Sequence, residues 1–243
     1  MKPLFVLAVF PVVLMGWTSC SHSGTGHTAL PDPRAVDKSV PEYKNPFHPS
    51  TYAHFVARKD YRKTYDVYKD DTLLSRQPKK SRKIFVCLDE QRGQYLVDGL
   101  VAMDFPLSSG VKAYPTKTGD YTVISKKEDH ASNLYGKMYD AEGKCINYNA
   151  ESTDPVPEGG RFDGSPMPYW QRLTNAGLGL HVGKVRRHPI SHGCVRLPRN
   201  VAEILYRQTT IGTPVTIRRT PLPVPEAQKI PPAQQQGAGG HKQ

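Results

Sequence analysis

Between residues 82 and 124 the apolar residues come in short runs separated by turn formers. Ile84-Phe85-Val86-Cys87-Leu88 is one run, Gln94-Tyr95-Leu96-Val97 a second, and Leu100 to Leu107 a third. Asp89-Glu90-Gln91-Arg92-Gly93 separates the first two, and Asp98-Gly99 the second and third. An Asp-Gly pair between apolar runs marks a two-residue hairpin, because that tight turn needs residues that tolerate positive φ. Tyr121-Thr122-Val123-Ile124 and Thr213-Pro214-Val215-Thr216-Ile217 read as further strands. One helix is predicted between these two, just before the last strand. Val201, Ile204 and Leu205 share a face at helical spacing, Asn200 stands as N-cap with Glu203 as its capping-box partner, and Gly212 lies beyond the end. Short strands joined by turns, with a helix packed on the sheet, predict a mostly β domain with antiparallel pairing.

Two stretches carry no clear period. Residues 125–168 hold Asp129, His130, Asp154 and several Pro and Gly residues, but no run that repeats at 2 or 3.6. Long irregular segments inside compact domains often cover sites, so a lid loop is expected there, with a passive insertion as the alternative. Residues 51–80 mix Tyr52, Phe55, Tyr61, Tyr65 and Tyr68 with charges, and leave a docked helix and a mobile neck both open.

The ends read differently. Met1-Lys2 followed by the apolar stretch Leu4 to Trp17 is too short to span a bilayer and reads as an export signal. It ends in Trp17-Thr18-Ser19-Cys20, which resembles a bacterial lipoprotein cleavage box, with Trp17 where an aliphatic residue is usual. Cys20 is the expected lipidation site; an ordinary secretory signal cut nearby is the alternative. Ser21 after it, in a cell with two membranes, resembles an outer-membrane address. The expected organisation is a signal over 1–20, a flexible tether and neck over 21–81, a catalytic domain over 82–219, and a disordered Pro/Gln/Gly tail over 220–243. The expected location is the cell envelope or periplasm, with a lipid anchor to the membrane.

The chain has 33 Lys and Arg against 22 Asp and Glu, a net charge of +11. The basic residues are scattered, without a basic helix or interleaved aromatics, so nucleic acid is not the expected partner. An anionic surface, lipid or wall polymer, fits the charge better.

Candidate chemistry is concentrated in Gly179-Leu180-His181-Val182-Gly183 and Ser191-His192-Gly193-Cys194-Val195-Arg196-Leu197. A thiol attacks acyl carbons as thiolate and so needs a base or a positive field. His181 and His192 both lie near enough in sequence to serve as that base. Backbone N–H groups at Gly193 and Cys194 are candidate oxyanion donors, and Arg196 is a candidate partner for a substrate carboxylate. The His and Cys spacing fits no common zinc pattern, and no metal or other cofactor is expected. His188 reads as a solvated loop residue, and Lys184, Arg186 and Arg187 as a solvated basic loop. Cys87 and Cys145 remain, with a disulfide permitted in an oxidising compartment and simple burial of Cys87 as the alternative.

The run from Ser191 to Leu197 resembles the signature of the L,D-transpeptidase catalytic domain, the YkuD-type family. Further segments resemble it in the same order: Ile84 to Asp98, Ser108-Ser109-Gly110, Pro115-Thr116-Lys117-Thr118-Gly119-Asp120-Tyr121, Met167-Pro168-Tyr169-Trp170, and Gly212-Thr213-Pro214-Val215. Ser109 replaces the usual Thr, and Lys117 a common Pro. The resemblance implies a β-sandwich with one or two helices, mixed sheets and a lid loop. It implies that Cys194 attacks the carbonyl between the third and fourth residues of a peptidoglycan stem peptide and that the terminal D-Ala leaves. It makes His181 the proton acceptor and donor, with His192 shaping the loop and Ser191, or its backbone, orienting the imidazole. Tyr169 and Trp170 are candidates for lining the donor groove, with core packing as the alternative. An amine then resolves the thioester, giving a 3–3 cross-link or protein anchoring. Hydrolysis at the same site, as an L,D-carboxypeptidase, and a non-catalytic wall-binding lipoprotein are the competing functions. Papain-like enzymes place Cys well before His, and sortases place His far before Cys with a distant Arg, whereas here His precedes Cys closely and Arg196 follows two residues on. Oligomeric state is left open.

Overall fold

A computed structural model of the chain describes residues 32–77 and 81–229. Cys20 and the expected export signal lie outside the described residues. In chain order the elements are α1 (Tyr52–Ala57), β1 (Tyr68–Lys69), α2 (Asp71–Ser75), β2 (Arg82–Cys87), β3 (Arg92–Val97), β4 (Leu100–Pro106), β5 (Gly119–Thr122) and β6 (Ser125–Lys127). There follow β7 (Ala131–Tyr139), β8 (Cys145–Glu151), β9 (Arg161–Pro166), β10 (Trp170–Arg172), β11 (Gly179–Val182), β12 (Val195–Leu197), α3 (Arg199–Gln208) and β13 (Pro214–Arg218). No helix among them is long and apolar enough to cross a membrane.

The strands form three sheets. The first has the order β1-β4-β3-β2-β13-β5, the second β12-β11-β10-β6, and the third β8-β7-β9. Most neighbours are antiparallel, but β13 runs parallel to β2 and β12 parallel to β11. The predicted three-strand meander is present as β2, β3 and β4, turning at Asp98-Gly99. One core joins the inner face of the first sheet (Ile84, Val86, Tyr95, Phe105, Val215, Ile217) to Leu180, Val195 and Leu197 of the second and to Val201, Ala202 and Leu205 of α3. Burying such side chains contributes about 1.5–3 kcal/mol each, so this face is the main source of stability. The fold is the expected mostly β one, with three helices where one or two were expected; α1 and α2 are single-turn pieces of 6 and 5 residues.

Strand β3 is buried along its whole length, which requires cover on both faces. The second cover comes from the segment expected to be tether and neck. Tyr52, Phe55, Val56 and Tyr61 pack with Leu96 and Val101 on the outer face of the first sheet. Under them lie polar groups that the strand pattern alone would have put in solvent. Arg92 Nε donates to Asp104 Oδ1 at 2.6 Å, with both side chains fully buried. The hydroxyls of Tyr52 and Tyr61 donate to Asp104 Oδ2 at 2.8 and 2.7 Å. Arg92 also donates to the carbonyls of Thr64 and Asp66. A buried ion pair is tolerated when its remaining lone pairs and protons are satisfied, as they are here. Docking of 51–77 thus follows from aromatic burial together with a carboxylate that needs donors. The C-terminal stretch is also laid down as far as residue 229, against the expectation of disorder from 220. Leu222 is buried, and the Gln228 amide continues the pairing of β4 beyond the short β1 by bonding both the N–H and the C=O of Val101 at 2.7 and 3.0 Å.

Two local expectations change. Helix α3 starts two residues earlier than predicted, with Pro198 and not Asn200 at the N-cap position, and no side chain caps it. Asn200 lies inside the helix, and Glu203 instead accepts a hydrogen bond from the Tyr169 hydroxyl. The stretch 125–168 is no irregular loop: it supplies β6 and the three-stranded sheet β8-β7-β9. That sheet is mostly exposed on both faces, so its residues show no alternation that could announce it.

Candidate active site

His181 and Cys194 are brought together by a parallel strand pair. His181 lies on β11 and Cys194 immediately precedes β12, with Leu180 opposite Val195 and His181 opposite Arg196. Residues 183–194 form the crossover between the two strands and have to be held from outside. Ser108-Ser109-Gly110 does this. Ser108 and Arg196 exchange backbone hydrogen bonds, the N–H groups of Ile190 and Ser191 donate to the Ser109 carbonyl, and Val111 N–H donates to Ser191. Gln91 in turn holds Ser109 through both its amide atoms.

Glycine is needed at two points. Gly193 has φ of 111°, outside the range comfortable for other residues. A Cβ on Gly110 would lie 2.0 Å from the Tyr114 carbonyl and 2.8 Å from Gly193 Cα. Thr116 spans the same contact: its hydroxyl accepts from Gly110 N–H at 2.8 Å and donates to the Gly193 carbonyl at 2.6 Å. The Pro-Thr segment singled out in the sequence therefore acts as a brace for the cysteine loop.

The loop opens onto a cavity of about 560 Å³ lined by His181, His192, Gly193, Cys194, Arg196 and Trp170. The third sheet forms its cover through Leu134, Tyr135 and Tyr148. His181 Nδ1 sits 2.7 Å from the Val182 carbonyl. A carbonyl can only accept, so Nδ1 carries the proton and Nε2 presents its lone pair. Burial holds His181 down to about 4, with the charges of Arg196 and His130 acting the same way and the Val182 hydrogen bond opposing. The imidazole is therefore neutral, a base, at physiological pH. His130, Trp170 and His181 form a row of rings, with centroids 5.1 and 5.9 Å apart.

Burial pushes the Cys194 thiol up; the Gly179 N–H and the Arg196 charge pull the other way. Its proton is donated to the Gly177 carbonyl, Sγ to O 3.2 Å. His181 and Cys194 share the cavity without a hydrogen bond between them, so the thiol has to turn from Gly177 to deliver its proton. The resting pair is a neutral thiol and a neutral imidazole.

The remaining expected site residues fall as follows. Ser191 does not touch His181; its hydroxyl donates to the Cys194 carbonyl at 2.5 Å and accepts from Gly193 N–H at 3.2 Å, closing the loop on itself. The Gly193 N–H, expected as an oxyanion donor, is thereby engaged, while the Cys194 N–H has no acceptor among the described residues. His192 is exposed and stacked on Tyr135 at 4.5 Å and 19°, with Tyr114 at 4.8 Å, so it joins the loop to the cover. Arg196 lines the cavity. Trp170 does too, but Tyr169 faces α3, where its hydroxyl meets Glu203 and its ring packs on Tyr206 at 5.5 Å. Tyr169 stands in the turn before β10, at a φ of 55°, and only Trp170 is on the strand, which separates the two. His188 is exposed. Arg187, expected in a solvated loop, is docked on the carbonyls of Thr64 and Glu90. Cys87 and Cys145 are unpaired, on strands of different sheets. Among the described residues no three His, Cys, Asp or Glu side chains converge as a metal site. Sequence reasoning did not single out Tyr135, Tyr114 or Gly177; nothing local marks a residue that reaches the thiol across 17 positions.

Comparison with known proteins bears on this geometry. Residues 81–217 match the family model described as YkuD, L,D-transpeptidase catalytic domain. A probable L,D-transpeptidase 3 from Mycobacterium tuberculosis is 32% identical over 120 residues, which is 46% of this chain and 38% of that protein. The chain thus spans well under half the length of this relative. Among solved structures, an L,D-transpeptidase from Mycobacterium smegmatis is similar at 20% identity and a TM-score of 0.44, over 57% of this chain and 58% of that one. One from Stackebrandtia nassauensis is similar at 22% and 0.43, over 68% and 65%.

Proposed function

The chain belongs to the family of YkuD-type L,D-transpeptidase catalytic domains, and on that premise we propose that it is a cysteine acyltransferase acting on peptidoglycan stem peptides. The observation that carries this reading is that His181 on β11 and Cys194, just before the parallel partner strand β12, meet at one cavity. Cys194 Sγ gives its proton to His181 Nε2 as it attacks the carbonyl carbon between the third and fourth stem residues. The carbon–nitrogen bond breaks, the imidazolium protonates the leaving amine of the terminal D-Ala, and a thioester remains on Cys194. An acceptor amine then attacks the thioester, passes its proton to His181, and restores the thiol.

The raised thiol and lowered imidazole support a step in which proton transfer and attack are coupled, since neither group ionises alone at neutral pH. The Cys194 N–H is positioned as a donor to the developing oxyanion, and Arg196 favours negative charge on the sulfur. Export and anchoring at Cys20 complete the reading, and rest on the sequence of residues 1–20.

The test is intact-protein mass of the purified chain, wild type and Cys194→Ala, after incubation with a disaccharide tetrapeptide. The expected result is an adduct on wild type alone, with released D-Ala and a cross-linked dimer. D-Ala release without dimer would assign hydrolysis in place of transfer. Absence of both adduct and D-Ala from the wild type overturns the proposal.

A further inference from the structure

The cavity carries a charge pattern that thiol chemistry does not require. Lys117, Arg172, Lys184 and Arg196 all line it, and no Asp or Glu does. They come from four separate segments: the stretch before β5, the end of β10, the residues just past β11, and β12. None of the four has a carboxylate partner or a side-chain hydrogen bond among the described residues. Some cations elsewhere on the surface are neutralised by carboxylates. Arg58 meets Asp60 and Asp66, Arg218 meets Asp120, and Arg219 meets Asp89, all within 2.8 Å. Glu151 is near enough to the cover for its charge to raise the Tyr135 phenol, yet it does not line the cavity.

Four unpaired cations around one concave site repel each other and raise the local concentration of anions. The two arginines can each take a carboxylate through two parallel N–H bonds, and the two lysines act as point charges. A peptide that brings several carboxylates matches this lining; one with amides or an ammonium in their place does not.

We infer that the cavity selects its donor by charge, taking stem peptides whose third residue carries its own free carboxylate over peptides in which that group is an amide or absent. This rests on the acyl-transfer reading above and adds to it the class of donor. Lys117, Arg172 and Lys184 are specificity residues in this account, acting on capture of the peptide and not on the bond-breaking step.

The test uses the full chain and two synthetic disaccharide tetrapeptides that differ only in amidation of the side-chain carboxylate of the third residue. KM and kcat for D-Ala release are measured for each. The expected result is a KM about tenfold higher for the amide with kcat little changed, as several partly exposed ion pairs together give. The gap narrows as salt is raised, because exposed charges are screened. Arg172→Gln combined with Lys184→Gln brings the ratio of the two KM values towards one, while Arg172→Lys combined with Lys184→Arg preserves it. A ratio within one protein does not depend on how much of that protein folds. Equal KM values in the wild type at low salt, or a ratio unchanged in the Gln variant, overturn the inference and leave acyl transfer standing. Failure of both peptides to acylate Cys194 overturns the acyl-transfer reading, and this inference with it.

Discussion

On the outer face of the first sheet, Arg92 and Asp104 are fully buried, joined at 2.6 Å and surrounded by donors and acceptors from residues 52 to 66. In the sheet that covers the cavity, β8 is exposed along nearly its whole length, and Leu134, Ile146 and Tyr148 are 49, 50 and 69% exposed. Both regions are sheet surfaces with a second element laid against them, but their polar and apolar groups are placed in opposite ways. The first buries charge and aromatic area to hold the N-terminal segment in one position, and through Arg187 it also grips the loop that carries Cys194. The second leaves apolar side chains uncovered above a cavity. Low burial means low local stability, which suits a cover that has to admit a peptide. Stability and access are thus assigned to different parts of one chain.

The largest effect is expected from Asp104→Ala. It strands the Arg92 guanidinium in the interior and removes the acceptor of two tyrosines, with a loss of about 3–5 kcal/mol. Denaturant unfolding measures this, and a loss below about 1 kcal/mol would show that the outer face is not held by this pair. Next comes the pH response of His181, which lies where the core sheets meet the cavity. Its folded pKa is about 4, against about 6.5 for a free imidazole. The unfolded chain therefore takes up the proton first as pH falls. The contribution is complete above about pH 6.5 and declines towards pH 4, by up to about 3 kcal/mol. Unfolding midpoints of wild type and His181→Gln across that range should converge at low pH; parallel curves would contradict the burial of the imidazole. The smallest stability effect is expected from Tyr148→Ser in the cover, within about 0.5 kcal/mol because the ring is already in water. The same variant should slow acylation by the donor peptide, and a clear fall in stability would blur the contrast between the two regions.

The sequence by itself determined the β2-β3-β4 meander, the strands around 121 and 215, the amphipathic helix, and the pairing of a thiol with nearby histidines. In each case the signal is local: alternation against one core face, a turn dipeptide, or a short motif. Tertiary structure decided the rest. It turned the expected lid loop into a sheet, which local pattern could not announce because both faces meet solvent and no period results. It buried Arg92, Gln94 and Asp104, because the aromatic residues that cover them lie tens of positions away: Tyr52 reaches Asp104 across 52 residues. It placed Trp170 in the cavity and Tyr169 on α3, and it separated the roles of the two histidines, sending His181 into the interior beside Trp170 and His192 out against Tyr135. Spacing brings candidate groups near one another along the chain, but burial sets their protonation, and burial is a property of the packed molecule.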